Sequence, residues 1–168
     1  MTDEPIGVRV GAALREAGAT LAVAESATGG LVCARLTDHP GASDYFDRGF
    51  ITYAYEAKTG VLGVDRRLID DHGAVSEPVA ASMATGARDI AGTDWAVSVT
   101  GIAGPTGDRP GKPIGTHYLG VARAGEWGTG TSTVSVERHQ FEGDRLEIRE
   151  QAVTQVLTLL FEAITTHQ

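Results

Sequence analysis

Ser26 and Lys58 are the side chains of this sequence best suited to covalent chemistry. Ser26 lies in Ala24-Glu25-Ser26-Ala27-Thr28-Gly29-Gly30, and Lys58 ends Tyr53-Ala54-Tyr55-Glu56-Ala57-Lys58. Serine and lysine can act as nucleophile and base: the hydroxyl attacks, and an amine kept neutral accepts its proton. Apolar Leu21-Ala22-Val23 precedes the serine, and helix-like Leu31-Val32-Cys33-Ala34-Arg35-Leu36 follows it. The serine segment therefore reads as a strand-to-helix turn. Gly29 and Gly30 let its backbone approach a ligand closely. A helix starting there would aim free N–H groups and its positive dipole end at the turn, a setting for an anion or a developing oxyanion. On residue chemistry alone other roles stay open. Ser26 or Thr28 could cap the helix, Lys58 could be a solvated helix residue, and Tyr53 could be a core residue with its hydroxyl at the surface.

The elements that would hold these groups alternate between strand and helix. The pattern predicts a helix over 5–17 with Gly18 as its stop, a strand over 20–24, a helix over 29–37 and a strand over 49–53. Helices follow over 54–62, about 66–71, and 77–91, the last with Ser76 at its N-cap and Pro78 in its first turn. A buried strand spans 94–100. Strands 116–123 and 131–140 join through a glycine-rich turn, and a long helix spans 144–164. One domain over residues 1–168 is expected, an α/β fold: a three-layer α/β/α sandwich on a mixed sheet. The loop from Gly101 to Gly111 follows the buried strand. It reads equally as a ligand loop and as a crossover that needs glycine to turn.

Composition narrows the function. The 168 residues carry a net charge of −8, from 22 acidic and 14 basic residues. That balance argues against general nucleic-acid binding, which needs a basic face. The only lysines are Lys58 and Lys112, and both fall beside the unusual motifs. An acid-rich, lysine-poor surface resembles that of halophile proteins. No apolar run approaches the roughly 20 residues of a membrane helix. The acidic Met1-Thr2-Asp3-Glu4-Pro5 does not read as a signal peptide, so the cytoplasm is the expected location. The single cysteine, Cys33, reads as a small core filler. The five histidines show no metal-ligand spacing, and no metal is expected.

Six motifs in order carry a resemblance to a known family. They are Ala24 to Gly30, Tyr53 to Lys58, His72-Gly73-Ala74-Val75-Ser76, Thr100-Gly101-Ile102-Ala103-Gly104-Pro105, Lys112-Pro113-Ile114-Gly115-Thr116, and Gly143-Asp144-Arg145. Together they resemble the CinA C-terminal domain family over nearly the whole chain. The resemblance implies a three-layer sandwich and a nicotinamide mononucleotide deamidase in stand-alone form. It implies Ser26 as nucleophile, Lys58 as base, and Tyr53 as a proton relay or an orienting group for the lysine. Thr28, Gly29, Gly30, Thr100 and Gly101 would line the substrate, and Arg145 would meet its phosphate, with Arg149 a weaker candidate. Lys112 is left between loop structure and phosphate steering. The implied partner is a small nucleotide substrate, with no cofactor, no nucleic acid and no membrane, and family members commonly form homodimers. Two positions depart from the pattern: Ala27, where cysteine is frequent, and Tyr55, where asparagine is common. The alternatives are a nucleotide-binding or competence-associated module without turnover, and an amidohydrolase for a different amide.

Overall fold

The computed structural model describes residues 3–168; Met1 and Thr2, the start of the acidic N-terminal segment, lie outside the described residues. In chain order the elements are α1 (Ile6–Ala17), β1 (Leu21–Glu25), α2 (Leu31–Thr37), a 3-10 turn (Ala42–Asp44), β2 (Phe46–Ile51), α3 (Tyr55–Leu62) and α4 (Arg66–His72). Then come α5 (Glu77–Ala91), β3 (Trp95–Gly101), β4 (Thr116–Arg123), β5 (Thr133–Gln140) and α6 (Arg145–Thr166). The strands form one sheet in the order β2-β1-β3-β4-β5. β1 runs parallel to β2 and β3, while β4 is antiparallel to both β3 and β5. The mixed three-layer α/β sandwich expected from the sequence is the fold observed.

Strand alternation sorts the core into two halves. Val23, Val97, Val99, Leu119 and Val121 face one way and pack with α1 and α6 through Val10, Leu14, Val153, Leu157 and Leu160. Ala22, Ala24, Ala96 and Ala122 face the other way, against Val79, Met83, Ala84 and Ala87 of α5. Small residues on this second face let α5 lie close to the sheet. The approach is tight enough for the buried Ser98 hydroxyl to donate to the Ala80 carbonyl of α5 at 2.7 Å. A side chain at Gly120 would run into that same hydroxyl.

Parallel β2, β1 and β3 end on the same edge of the sheet. Their C-termini bring Thr52-Tyr53, Ser26 and Thr100-Gly101 together, the edge at which open α/β sheets bind ligands. The expected strand boundaries shift there. β2 covers Phe46–Ile51 instead of 49–53, because Leu21 pairs with Phe46 at the start of the register. Thr52 N–H still donates to the Glu25 carbonyl at 2.8 Å, and the chain then leaves the sheet. α2 begins at Leu31, not Gly29, since Gly29 and Gly30 take φ of 57° and 105° in the turn before it. Ser76 stands at the N-cap of α5, but its hydroxyl donates to Gly73 O instead of capping the helix.

At the end of β3, Gly101 lies opposite His117 of β4. A Cβ on Gly101 would enter the imidazole ring. That ring is fully buried, hydrogen-bonds Gly115 O through Nδ1 at 3.0 Å, and meets Phe141 edge-on, so it has little freedom to move. Gly101→Ala is expected to lower stability by about 2–3 kcal/mol, as overpacking a core does. Chemical denaturation reads this as a lowered midpoint, and an unchanged midpoint would show that the ring yields.

Candidate active site

The turn after β1 is fixed from both sides. Ser26 N–H donates to Val99 O at 3.0 Å, tying the serine to β3. Within the turn, Gly29 N–H donates to Ser26 O and Leu31 N–H to Thr28 O, both at 3.0 Å. The first free N–H groups of α2 are taken by Glu25, not by Ser26 or Thr28. Its carboxylate is fully buried and accepts from Val32 N at 2.9 Å and Cys33 N at 3.0 Å. The positive end of α2 is therefore already matched by a negative charge. This corrects the expectation that the helix start itself receives an anion. Among the described residues, the N–H groups of Ala27, Thr28 and Gly30 are left without an acceptor. Arg149 reaches across from α6 and donates to the carbonyls of Ala27 at 3.1 Å and Thr28 at 3.0 Å. The carbonyl side of the turn is thus pinned while those N–H groups stay available.

Lys58 projects from α3 into the protein and is 1% exposed. Its Nζ lies 3.0 Å from Ser26 Oγ, 2.6 Å from Thr52 O and 3.2 Å from Tyr53 O. Among the described residues it forms no ion pair. Burial disfavours the charged form and pulls its pKa down to about 8. The three neighbours also assign the hydrogens. Two are carbonyls, which only accept, and a neutral amine has two N–H groups and one lone pair. With both N–H groups given to Thr52 O and Tyr53 O, the lone pair is left facing the Ser26 hydroxyl.

Tyr53 meets Lys58 through its main chain. Its hydroxyl instead accepts from Arg145 Nη2 at 3.2 Å, which leaves the O–H proton free to donate. Arg145 Nη1 donates to Gly104 O at 2.7 Å. The guanidinium is carried at the start of α6, where Asp144 caps the helix and Glu147 closes a reciprocal capping box. Glu150, further along α6, pairs with Arg35 and leaves Arg145 free of it. Thr100 is buried, and its hydroxyl donates to Ala74 O at 2.8 Å, holding the 73–75 segment over the site.

A hollow of about 220 Å³ gathers Ser26, Tyr53, Lys58, Thr100, Gly101 and Arg145. Thr28, Gly29 and Gly30 do not line it; they shape the turn behind Ser26, and the buried Thr28 hydroxyl has no partner among the described residues. A second hollow of about 290 Å³ adjoins the first and shares Tyr55, Ala74, Val75, Ile102 and Gly107 with it. The Gly101–Gly111 loop, read either as ligand loop or as crossover, is both: it joins β3 to β4 and walls the two hollows. A further hollow beside Trp95 and His167 lies by the opposite end of the sheet, away from these groups. The place of Glu25 directly before the serine points to a side chain that satisfies backbone partners, and it does so here. Arg149, the weaker phosphate candidate of the sequence, clamps the turn instead, and Thr52, whose carbonyl accepts from the lysine, carried no signal in the sequence.

Comparison with known proteins agrees with this layout. The profile of the CinA C-terminal domain matches residues 3–164. A CinA-like protein of Geotalea uraniireducens is 49% identical over 146 residues, which are 87% of this chain and 33% of that protein. A CinA-like protein of Citrifermentans bemidjiense is 51% identical over 146 residues, 87% of this chain and 34% of that one. The chain spans about a third of the length of these relatives. The crystal structure of the competence damage-inducible protein A from Klebsiella pneumoniae superposes with a TM-score of 0.90 at 33% identity, covering 97% of each chain. That of a competence/damage inducible protein from Agrobacterium tumefaciens gives 0.87 at 35% identity, covering 95% of this chain and 93% of the other. With sequence and fold matched along almost its whole length, the chain belongs to the CinA C-terminal domain family.

Proposed function

We propose that this protein is an amidohydrolase that cleaves the carboxamide of nicotinamide mononucleotide to nicotinic acid mononucleotide and ammonia. The observation that carries the chemistry is the buried Lys58 amine, 3.0 Å from Ser26 Oγ with two carbonyls fixing its remaining valences. The substrate is drawn from the family resemblance. Substrate and product are soluble nucleotides, which fits a cytoplasmic reaction, and no helix among the described residues is long and apolar enough to cross a membrane.

In this reading the Lys58 lone pair takes the Ser26 proton as Oγ bonds to the amide carbon. The carbonyl oxygen becomes an oxyanion, which the free N–H groups of Ala27, Thr28 or Gly30 can stabilise. Collapse breaks the C–N bond and leaves an acyl-serine. The leaving nitrogen takes up the proton from the Lys58 ammonium, directly or relayed through the Tyr53 hydroxyl that Arg145 orients, and Lys58 is again neutral. Water then attacks the acyl-serine, losing its proton to Lys58, and Ser26 Oγ leaves protonated. Arg145 binds the substrate within the same hollow as the reacting groups. Tyr55 borders both hollows, so a substrate reaching from one to the other passes its ring.

Ammonia release from nicotinamide mononucleotide, measured at low and molar salt, tests this directly. Ser26→Ala is expected to lose at least about 10³-fold in kcat while keeping ligand affinity. A Ser26→Ala protein with wild-type turnover would remove the serine from the mechanism. Release from another pyridine amide, with none from the mononucleotide, would leave the chemistry standing and reassign the substrate.

The lysine sets two pH dependences. The base must be neutral, so log kcat/KM should climb with unit slope below about pH 8 and level off above it. Stability follows the same group with a definite sign. Below about pH 8 the lysine is protonated in both states, and the native state carries the full cost of burying the charge. Between about 8 and the ordinary value of 10.5 the unfolded chain binds the extra proton, so stability rises with pH. The rise should be on the order of 3 kcal/mol. Denaturation curves of Lys58→Met should lack it; a variant with the same rise would place its origin elsewhere.

A further inference from the structure

We propose that the hollow walled by His72, Arg109 and Lys112 is an anion site that holds the phosphate end of the substrate. The identity of that substrate rests on the amidase reading, but the anion site itself stands on its own residues.

Lys112 Nζ donates to His72 O at 2.6 Å, which uses one of its three N–H groups. Arg109 Nη1 reaches only main-chain oxygens of its own loop, Gly107 O at 3.4 Å and Asp108 O at 3.1 Å. Arg138 backs the same loop and donates to Gly111 O at 2.6 Å. Among the described residues none of these three cations pairs with a carboxylate. In a chain of net charge −8, three cations gather around one loop whose single carboxylate, Asp108, pairs with none of them, an unusual concentration of positive charge. Burial, and after it the Arg138 charge, weaken the hold of Lys112 on its proton. An anion in the hollow would relieve that repulsion and take up the free donors.

The position fits the far end of a substrate whose amide lies on Ser26. The two hollows adjoin, with five lining residues in common. In a pyridine mononucleotide the carboxamide and the phosphate sit at opposite ends, with the ring and ribose between them. Arg145 shares the hollow of Ser26, and two of its donors are committed to Gly104 O and the Tyr53 hydroxyl. In this reading Arg145 serves the reacting end beside the Tyr53 hydroxyl, and the phosphate that the resemblance implied for it moves to Arg109 and Lys112. A phosphate would be gripped by charge-assisted hydrogen bonds from both.

Two measurements test the site. Inorganic phosphate, titrated into the isotope-labelled wild-type protein, should saturably shift the backbone amide resonances of Gly107, Asp108, Arg109, Gly111, Lys112 and Gly73. The Arg109→Ala/Lys112→Ala double variant, checked for an otherwise unchanged amide spectrum, should show no such shift. Lys112→Arg, which keeps the charge, should retain it. Calorimetry in the Ser26→Ala background then compares nicotinamide mononucleotide with its phosphate-free riboside. The mononucleotide should bind at least about tenfold more tightly, and adding the double substitution should bring the two within about twofold. Arg145→Ala should weaken both ligands alike. Absence of phosphate-induced shifts in the loop, or a preference that survives the double substitution, would overturn the site. Intact phosphate binding without ammonia release would overturn the amidase reading and leave the anion site in place.

Discussion

A lysine buried without an acid is the constraint around which this molecule is arranged. An ammonium in such a place would normally be matched by a carboxylate, and Lys58 has only two carbonyls and a hydroxyl. The chain accepts that cost by letting the amine go neutral near physiological pH. Much of the local structure follows. β2 must end at Ile51 so that the next two carbonyls can turn toward Nζ, and α3 must start at once so that Lys58 reaches back to them. The serine must be held by a turn tied to β3, so that its hydroxyl meets the remaining valence of the amine.

Burial alone lowers the pKa of that amine, and the charged groups around it are held by other partners. Glu25 lies one residue from the serine, yet both of its oxygens are spent on the start of α2. Arg149 holds the carbonyls of the turn and Arg145 holds the tyrosine hydroxyl, each through main-chain or neutral partners. The nucleophile therefore sits among fixed dipoles, a preorganised setting of the kind that stabilises developing charge. The adjoining hollow carries the opposite arrangement, with cations left unpaired where a substrate anion can supply the partner.

Much of this was legible in the sequence, and what was not has physical reasons. The alternation of strand and helix gave the layered fold, because period-2 and period-3.6 patterns report directly on burial. Ser26 and Lys58 pair by residue type and by the family resemblance, and the fold brings them to 3.0 Å. Capping of α2 by Ser26 or Thr28, open on residue type, falls away because a glutamate reaches forward from the strand to take the N–H groups. Strand ends moved because Phe46 is drawn into register with Leu21 by sheet pairing, which no local pattern encodes. Arg149 is separated from the turn it clamps by more than 120 residues, and only the packing of α6 brings the two together.

The neutrality of Lys58 can be measured without any substrate. The chain has two lysines, so a sample labelled at lysine Cε gives two resonances, with Lys112 assigned by its substitution to arginine. Following both across pH 6–12 reads each titration directly. The account requires Lys58 to titrate near 8. A Lys58 that stays charged up to the ordinary lysine value of 10.5 would contradict it, since the lone pair assigned to the Ser26 proton would then be absent at neutral pH.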